Sequence, residues 1–267
     1  MNNKLLILNL GVDSENTSLA FTQKWINDIS LNFASVDVLT MKVGSTYQLN
    51  KNVNLFFIND QNTNYTKIYQ LRKLNKLTRK LIKNNNYTHC FAHMAPMQHL
   101  VAKFYLIQKN IKTTLWFTHS GPKFGIKWLI LWFSSLLANN IVTASKHSFP
   151  FRFKKVKCIG HGINFDSFFI ERKTFQLKNI SILSRVSKSK NIENTIDNII
   201  KCKNFENINI DVIGGTLNID DESYLNELLI KYKNFKNINF LGKQPHAKLP
   251  ELLKNCLLYT SDAADES

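Results

Sequence analysis

The chain has 267 residues, 44% hydrophobic and 12% aromatic, with a formal net charge of +16. That length and apolar content suit two domains with cores of their own and exclude a disordered chain. The charge is uneven: residues 1–170 hold 21 Lys/Arg against 6 Asp/Glu, and residues 171–267 hold 14 against 13. The first half therefore suits an anionic partner: nucleic acid, a phospholipid surface or a phosphorylated substrate.

In chain order, apolar runs that read as buried strands alternate with segments of helical periodicity. Leu5–Leu10 is a strand closed by Gly11, and Glu15–Ser30 a helix with Leu19, Trp25, Ile26 and Ile29 on one side. Val36–Met41 and Val53–Ile58 are strands, and Lys67–Lys83 is a long helix. That helix has seven Lys/Arg and no acidic residue, interleaved with Ile68, Leu71, Leu74, Leu81 and Ile82. Such a basic amphipathic helix fits either an anionic membrane surface or a core-packed helix with a solvated face. Tyr87–His93, Thr113–Thr118, Ile141–Ala144 and Val156–Ile159 are strands. Met97–Lys109 is a helix, and a further apolar helix follows Gly121-Pro122. A second domain starts near Asn179 with strand Ile180–Leu183 and helix Asn191–Lys203. Strand Ile208–Ile213, helix Asp221–Tyr232, strand Ile238–Leu241 and a helix start at Lys248–Asn255 complete it. Strands alternating with helices predict α/β architecture with parallel sheets. The expected domains are 1–170, 171–255 and a tail, 256–267.

Cys90, Cys158, Cys202 and Cys256 show no C-x-x-C spacing, which suits a reducing compartment rather than a disulfide framework. The N-terminus lacks the layered pattern of a signal peptide, and the apolar run Trp128–Ala138 is too short to span a bilayer. The expectation is a cytoplasmic protein able to touch the inner face of a membrane. His89, Cys90, His93 and His99 match no common zinc spacing, and no metal site is expected. No helix-turn-helix, zinc-finger or aromatic RNA-binding signature is present, so nucleic acid is not the expected partner.

Arg185 and Lys190 lie five residues apart between a strand end and a helix start. Two cations so placed suit a pyrophosphate, matching its charge beside helix N–H groups. Upstream stand a strand with a small polar turn (IVTASK, from Ile141) and the loop His161-Gly162-Ile163-Asn164; downstream comes ISILSRVSKSKN, from Ile180. This series resembles the interdomain crossover and donor-phosphate motif of retaining glycosyltransferases of family 4, which have the GT-B fold. The resemblance covers nearly all of residues 4–255 and implies two Rossmann-like parallel-sheet domains facing a cleft, the second incomplete.

The resemblance further implies a nucleotide diphosphate sugar donor held by Arg185 and Lys190, and His119, after the strand Thr113–Thr118, contacting the donor sugar as a catalytic-centre residue. It places Gly162, Gly214 and Lys243 near the donor nucleotide, and Gly11 and His93 at the cleft. Where the family has glycine, this chain has Ser184, and its glycine-rich loop after the first strand is reduced to Gly11. An ordinary turn would also use a glycine at 162. No Asp-x-Asp occurs in the sequence, which fits a metal-independent GT-B enzyme with no cofactor besides its nucleotide-sugar substrate. The implied acceptor is lipid-linked or a polysaccharide, with a role in building cell-envelope glycans. A non-catalytic basic module docked on a membrane and a GT-B sugar-nucleotide epimerase are the alternatives.

Cys256–Glu266 (CLLYTSDAADE) resembles an in-frame translation of a sequencing-library adapter. On that reading, native sequence stops near Asn255, before the family's pair of glutamates, and the chain as printed is expected to transfer no sugar.

Overall fold

A computed structural model describes residues 3–14, 21–46, 49–60, 63, 65–119, 121, 124–160, 162, 178–245, 248–254 and 258–260. The chain divides into two compact units, Met1–His161 and Gly162–Ser267. The expected boundary at 170/171 lies outside the described residues.

The first unit is built on seven parallel strands: β1 (Lys4–Val12), β2 (Ser35–Val43), β3 (Val53–Asn59), β4 (His89–His93), β5 (Lys112–Trp116), β6 (Asn140–Thr143) and β7 (Val156–Cys158). Their order in the sheet is β3-β2-β1-β4-β5-β6-β7. β1 sits inside the sheet between β2 and β4, with Leu8 opposite both Leu39 and Ala92. Helices cover both of its faces, which explains a continuous apolar run rather than an alternating one. Leu6 and Leu8 join one core with Leu74, Leu81, Ala102, Leu106 and Leu131. Leu5 and Ile7, on the opposite face by the two-residue period of a strand, join another with Ile26, Val36 and Val38.

Four helices accompany this sheet: α1 (Thr22–Ser30), α2 (Lys67–Asn84), α3 (Pro96–Gln108) and α4 (Ile126–Leu137). Thr66 caps α2, its Oγ1 accepting from the Tyr69 N–H at 3.4 Å. The buried face of α2 is Leu74, Thr78, Leu81 and Ile82. Ile68 and Leu71, read from the sequence as part of its apolar side, are instead 68% and 45% exposed. Both come before the first residue of α2 to meet the core, Leu74. None of the described helices is long and apolar enough to cross a membrane.

The second unit has a parallel sheet of β8 (Asn179–Leu183), β9 (Asn209–Ile213), β10 (Ile238–Gly242) and β11 (Leu258–Thr260), in the order β10-β9-β8-β11. Its helices are α5 (Ile192–Ile200), α6 (Ile219–Lys231) and the short α7 (Leu249–Leu253). Ile182, Ile192, Ile196, Ile210, Val212, Tyr224 and Leu228 form its core. β11 falls within the segment that resembles an adapter, and pairs with β8 through Leu258 opposite Ile180. An ion-pair strut joins α5 to α6: Lys231 Nζ lies 2.7 Å from both Glu193 Oε1 and Asp197 Oδ2, and Tyr232 donates to Asp197 at 2.7 Å. The seven-stranded and four-stranded parallel sheets establish the α/β class expected from the sequence.

Candidate functional site

In open parallel sheets, ligands bind outside the carboxyl ends of the strands. At that edge of the second unit, the backbone beyond β8, β9 and β10 stays tied together. The Ser184 N–H donates to Ile213 O (3.1 Å), that of Val186 to Gly215 O (3.0 Å), and that of Gly214 to Gly242 O (2.9 Å). Gly214 is required there. A Cβ at this position would stand 1.8 Å from the Ser184 carbonyl oxygen, an impossible approach for any other residue. Gly215 lies against Lys243, whose Cβ would be 3.2 Å from an added Cβ. Gly242 has φ +65°, the left-handed region that glycine enters at no steric cost. Ser184, Arg185, Gly214, Gly215, Gly242 and Lys243 are thus one continuous rim.

Arg185 is exposed, and its Nε lies 3.7 Å from Asp221 Oδ2. Asp221 is itself fixed. Its Oδ2 accepts from the Leu217 N–H (3.1 Å), while its own N–H donates to Asn218 Oδ1 (2.8 Å). Asn218 thus caps α6, while the Asp221 carboxylate ties down the residue before the cap. Asp221 was not among the sequence-predicted residues, although the Asn218-x-x-Asp221 spacing is a cap signal. The guanidinium is held through Nε, and its Nη1 and Nη2 carry four further donors for phosphate oxygens.

Lys190 ends a 3-10 turn, Lys188–Lys190, that the sequence reading did not foresee between β8 and α5. Its N–H donates to Ser187 O at 3.0 Å. Asn191, at φ 53°, then turns the chain into α5. The two cations therefore share the β8–α5 connection beside the glycine rim. The N-terminus of α5 is not wholly open: the Glu193 N–H donates to the Tyr224 hydroxyl at 3.2 Å.

In the first unit, Gly11 lies inside β1, paired with Lys42, rather than in a loop after it. The strand runs two residues past Leu10 because Asn9 braces its end, donating through Nδ2 to Gly11 O at 2.9 Å. His93 ends β4 opposite Asn9 and Trp116. Its ring centroid lies 4.8 Å from Trp25, 5.9 Å from Phe21 and 6.4 Å from the stacked Trp116. Burial lowers its pKa to about 4. It is neutral near pH 7, able to donate or accept one hydrogen bond but not to bind an anion through charge. His119 is exposed after β5, its ring edge-on to Phe117 at 6.3 Å. The Thr118 N–H donates to Met94 Sδ at 3.4 Å, so the loops after β4 and β5, and with them His93 and His119, share one end of the sheet.

The other residues weighed for a metal are dispersed. His89 is exposed, and Cys90 is core, its thiol pushed up to about 12 by burial. His99 is buried with Nδ1 2.8 Å from Ser134 Oγ, and burial beside Lys103 lowers its pKa to about 3. Among the described residues no group of three His, Cys, Asp or Glu could hold a metal ion. Gly162 is exposed with nothing within 4 Å of an added Cβ, so the described surroundings do not demand glycine there. His161, Ile163 and Asn164 lie outside the described residues.

Comparison with known proteins follows the same division. The family model described as glycosyl transferases group 1 matches residues 166–267, which hold Arg185, Lys190 and the glycine rim. No curated protein matches the chain. Among solved structures, the chain resembles Anabaena HepE in complex with UDP, at 14% identity and a TM-score of 0.67, over 96% of this chain and 73% of that one. A glycosyltransferase from Rickettsia africae is similar at 13% identity and a TM-score of 0.68, over 97% and 73%. A UDP-GlcNAc 2-epimerase from Methanocaldococcus jannaschii is similar at 12% and 0.60, over 96% and 77%. The chain has the GT-B kind of α/β fold, and its residues 166–267 match the glycosyl transferases group 1 model.

Proposed function

We propose that this protein is a glycosyltransferase that moves a sugar from a nucleoside diphosphate donor to a lipid-linked or polysaccharide acceptor, with retention at the anomeric carbon, in building cell-envelope glycan. The observation that carries the reading is the placement of Arg185 and Lys190 on one connection, beside the Gly214–Gly215 and Gly242–Lys243 strand ends, within the family-matched segment. Negative charge grows on the departing diphosphate as the sugar–phosphate bond breaks. A tethered guanidinium and an ammonium stabilise that charge more than they stabilise the bound donor, which is what lowers the barrier. The missing side chains at Gly214 and Gly215 let the strand ends that carry Ser184 and Lys243 close up, which holds Arg185 beside the rim. On the retaining course, the acceptor hydroxyl attacks from the face the diphosphate leaves, and a phosphate oxygen takes the hydroxyl proton. His119 positions the sugar. His93, neutral at its strand end, lines the acceptor side. The charge work belongs to Arg185 and Lys190, and no metal role is assigned.

A GT-B sugar-nucleotide epimerase is the second reading, favoured by the likeness to the archaeal 2-epimerase. The proposal is tested by incubating the protein with a panel of nucleoside diphosphate sugars, with and without a lipid and glycan extract. Nucleoside diphosphates should bind at least about tenfold tighter than their monophosphates, since the second phosphate meets its own cation. In a form of the protein that carries a complete donor domain, sugar should appear on the acceptor, not as a 2-epimer of the donor. Epimerisation without transfer selects the second reading.

A further inference from the structure

The helix α4 is built inside out. Its buried positions are Leu131, Ser134 and Ser135, while Ile126 (73%), Leu129 (47%), Phe133 (47%), Leu136 (47%) and Leu137 (40%) stand exposed, preceded by Phe124 (88%). Residues 126, 129, 133, 136 and 137 follow the helical spacing of a single stripe. A helix packed for water alone would hide Leu and Phe and show its serines. Here the serines are occupied inside: Ser134 meets His99 of α3, and Ser135 Oγ donates to Leu131 O at 2.6 Å. The rotation of α4 is held by the buried Ser134–His99 hydrogen bond, since the Ser135 bond stays within the helix. Neighbouring α3 adds Phe104 (66%) and Ile107 (57%). Single exposed apolar residues are ordinary, but a contiguous set of this size marks an interface.

We propose that this stripe is a membrane-entering face and that its occupant is a bilayer bearing anionic phospholipid. Charge selects the occupant. Residues 61–160, which hold α2, α3 and α4, contain 17 Lys/Arg and no Asp or Glu. α2 exposes Arg72, Lys76, Arg79, Lys80 and Lys83. It belongs to the same layer: Tyr105 of α3 donates to Asn75 of α2 at 2.8 Å, and His99 of α3 bonds Ser134 of α4. A second copy of the chain would cover the apolar stripe but set two cationic layers against each other. A nucleic acid would answer the charge and leave Leu129, Phe133 and Leu136 in water. A bilayer answers both, with acyl chains receiving the stripe and headgroups meeting the lysines and arginines. At 12 residues α4 is too short to span a bilayer, so it lies in the interfacial plane. The inference deepens the proposed lipid-linked acceptor, yet it rests on the first unit alone and its test involves no sugar chemistry.

The full chain is sedimented with vesicles of phosphatidylcholine, with and without phosphatidylglycerol. It should bind the anionic vesicles and be released by salt. The triple variant Leu129→Ser, Phe133→Ser, Leu136→Ser should lose at least about tenfold in partitioning, as should Arg72→Gln, Arg79→Gln, Lys80→Gln. Because all six positions are exposed, their thermal melts should match the parent. Phe104→Ser, Ile107→Ser on α3 carries the same expectation if the α4 variant misfolds. Undiminished binding of these variants overturns the proposal, and so does equal binding to uncharged vesicles. A vesicle-free dimer dissolved by the α4 substitutions overturns it in favour of a second copy. Binding to RNA with no binding to vesicles overturns it in favour of nucleic acid.

Discussion

Single residues set the limits of the proposed donor site. Gly214 is the sharpest case, because the space its side chain would need is filled by the Ser184 carbonyl. Gly214→Ala should separate β8 from β9 at their carboxyl ends, costing on the order of 2–4 kcal/mol of stability and weakening nucleotide binding. Urea unfolding checks this, and a Gly214→Ala protein as stable as the parent would contradict the geometry. From the sequence Gly214 was legible only as a glycine after a strand, since close approach belongs to the neighbouring backbone. Asp221 was hidden for a related reason: its contact with Arg185 spans 36 residues of chain. His93 makes a pH prediction. Its folded pKa is about 4 against an ordinary 6.5, so as pH falls below 6.5 the unfolded chain takes up the proton first. Stability from this group is complete above about pH 6.5 and declines toward pH 4 by about 1.4 kcal/mol per unit. His99, lowered to about 3, adds a parallel loss. Replacing His93→Phe, which suits a site ringed by Trp25, Phe21 and Trp116, should make unfolding free energy measured between pH 6 and 4 shallower by about that slope. An unchanged slope would mean that His93 is solvated.

At the scale of elements, the alternation of strand and helix was readable because buried parallel strands and amphipathic helices have different periods. The ends of β3 (Val53–Asn59), α2 (Lys67–Asn84) and β10 (Ile238–Gly242) fall within one residue of the sequence expectation. What composition could not show was which side of a uniformly apolar helix faces inward. α4 reads Ile-Lys-Trp-Leu-Ile-Leu-Trp-Phe-Ser-Ser-Leu-Leu, and its two serines look like the solvent side until the buried His99 partner is known. From the sequence, the membrane expectation rests on the positive charge of residues 1–170 together with α2, and the exposed face of α4 adds an apolar component. β1 ran longer than expected because Asn9 and the pairing with β2 carry it through Gly11. The 3-10 turn at Lys188–Lys190 was equally illegible, since its sequence has no cap or breaker beyond Asn191.

For the whole molecule, composition already separated a basic first unit from a nearly neutral second one, and the structure gives each its own parallel sheet and core. The proposed division of labour assigns the cationic and apolar surface of the first unit to an acceptor held at a membrane, and the glycine-rimmed cation pair of the second to a nucleoside diphosphate. The most direct measurement is calorimetric titration of the protein and its Arg185→Ala, Lys190→Ala double variant with nucleoside diphosphates and their sugars. Losing two charge-assisted phosphate contacts should weaken binding by roughly 2–4 kcal/mol, a factor of about thirty or more, with folding intact because both side chains are at least partly exposed. Binding of the same strength in the double variant would contradict the account, as would a parent protein that binds none of the diphosphates offered.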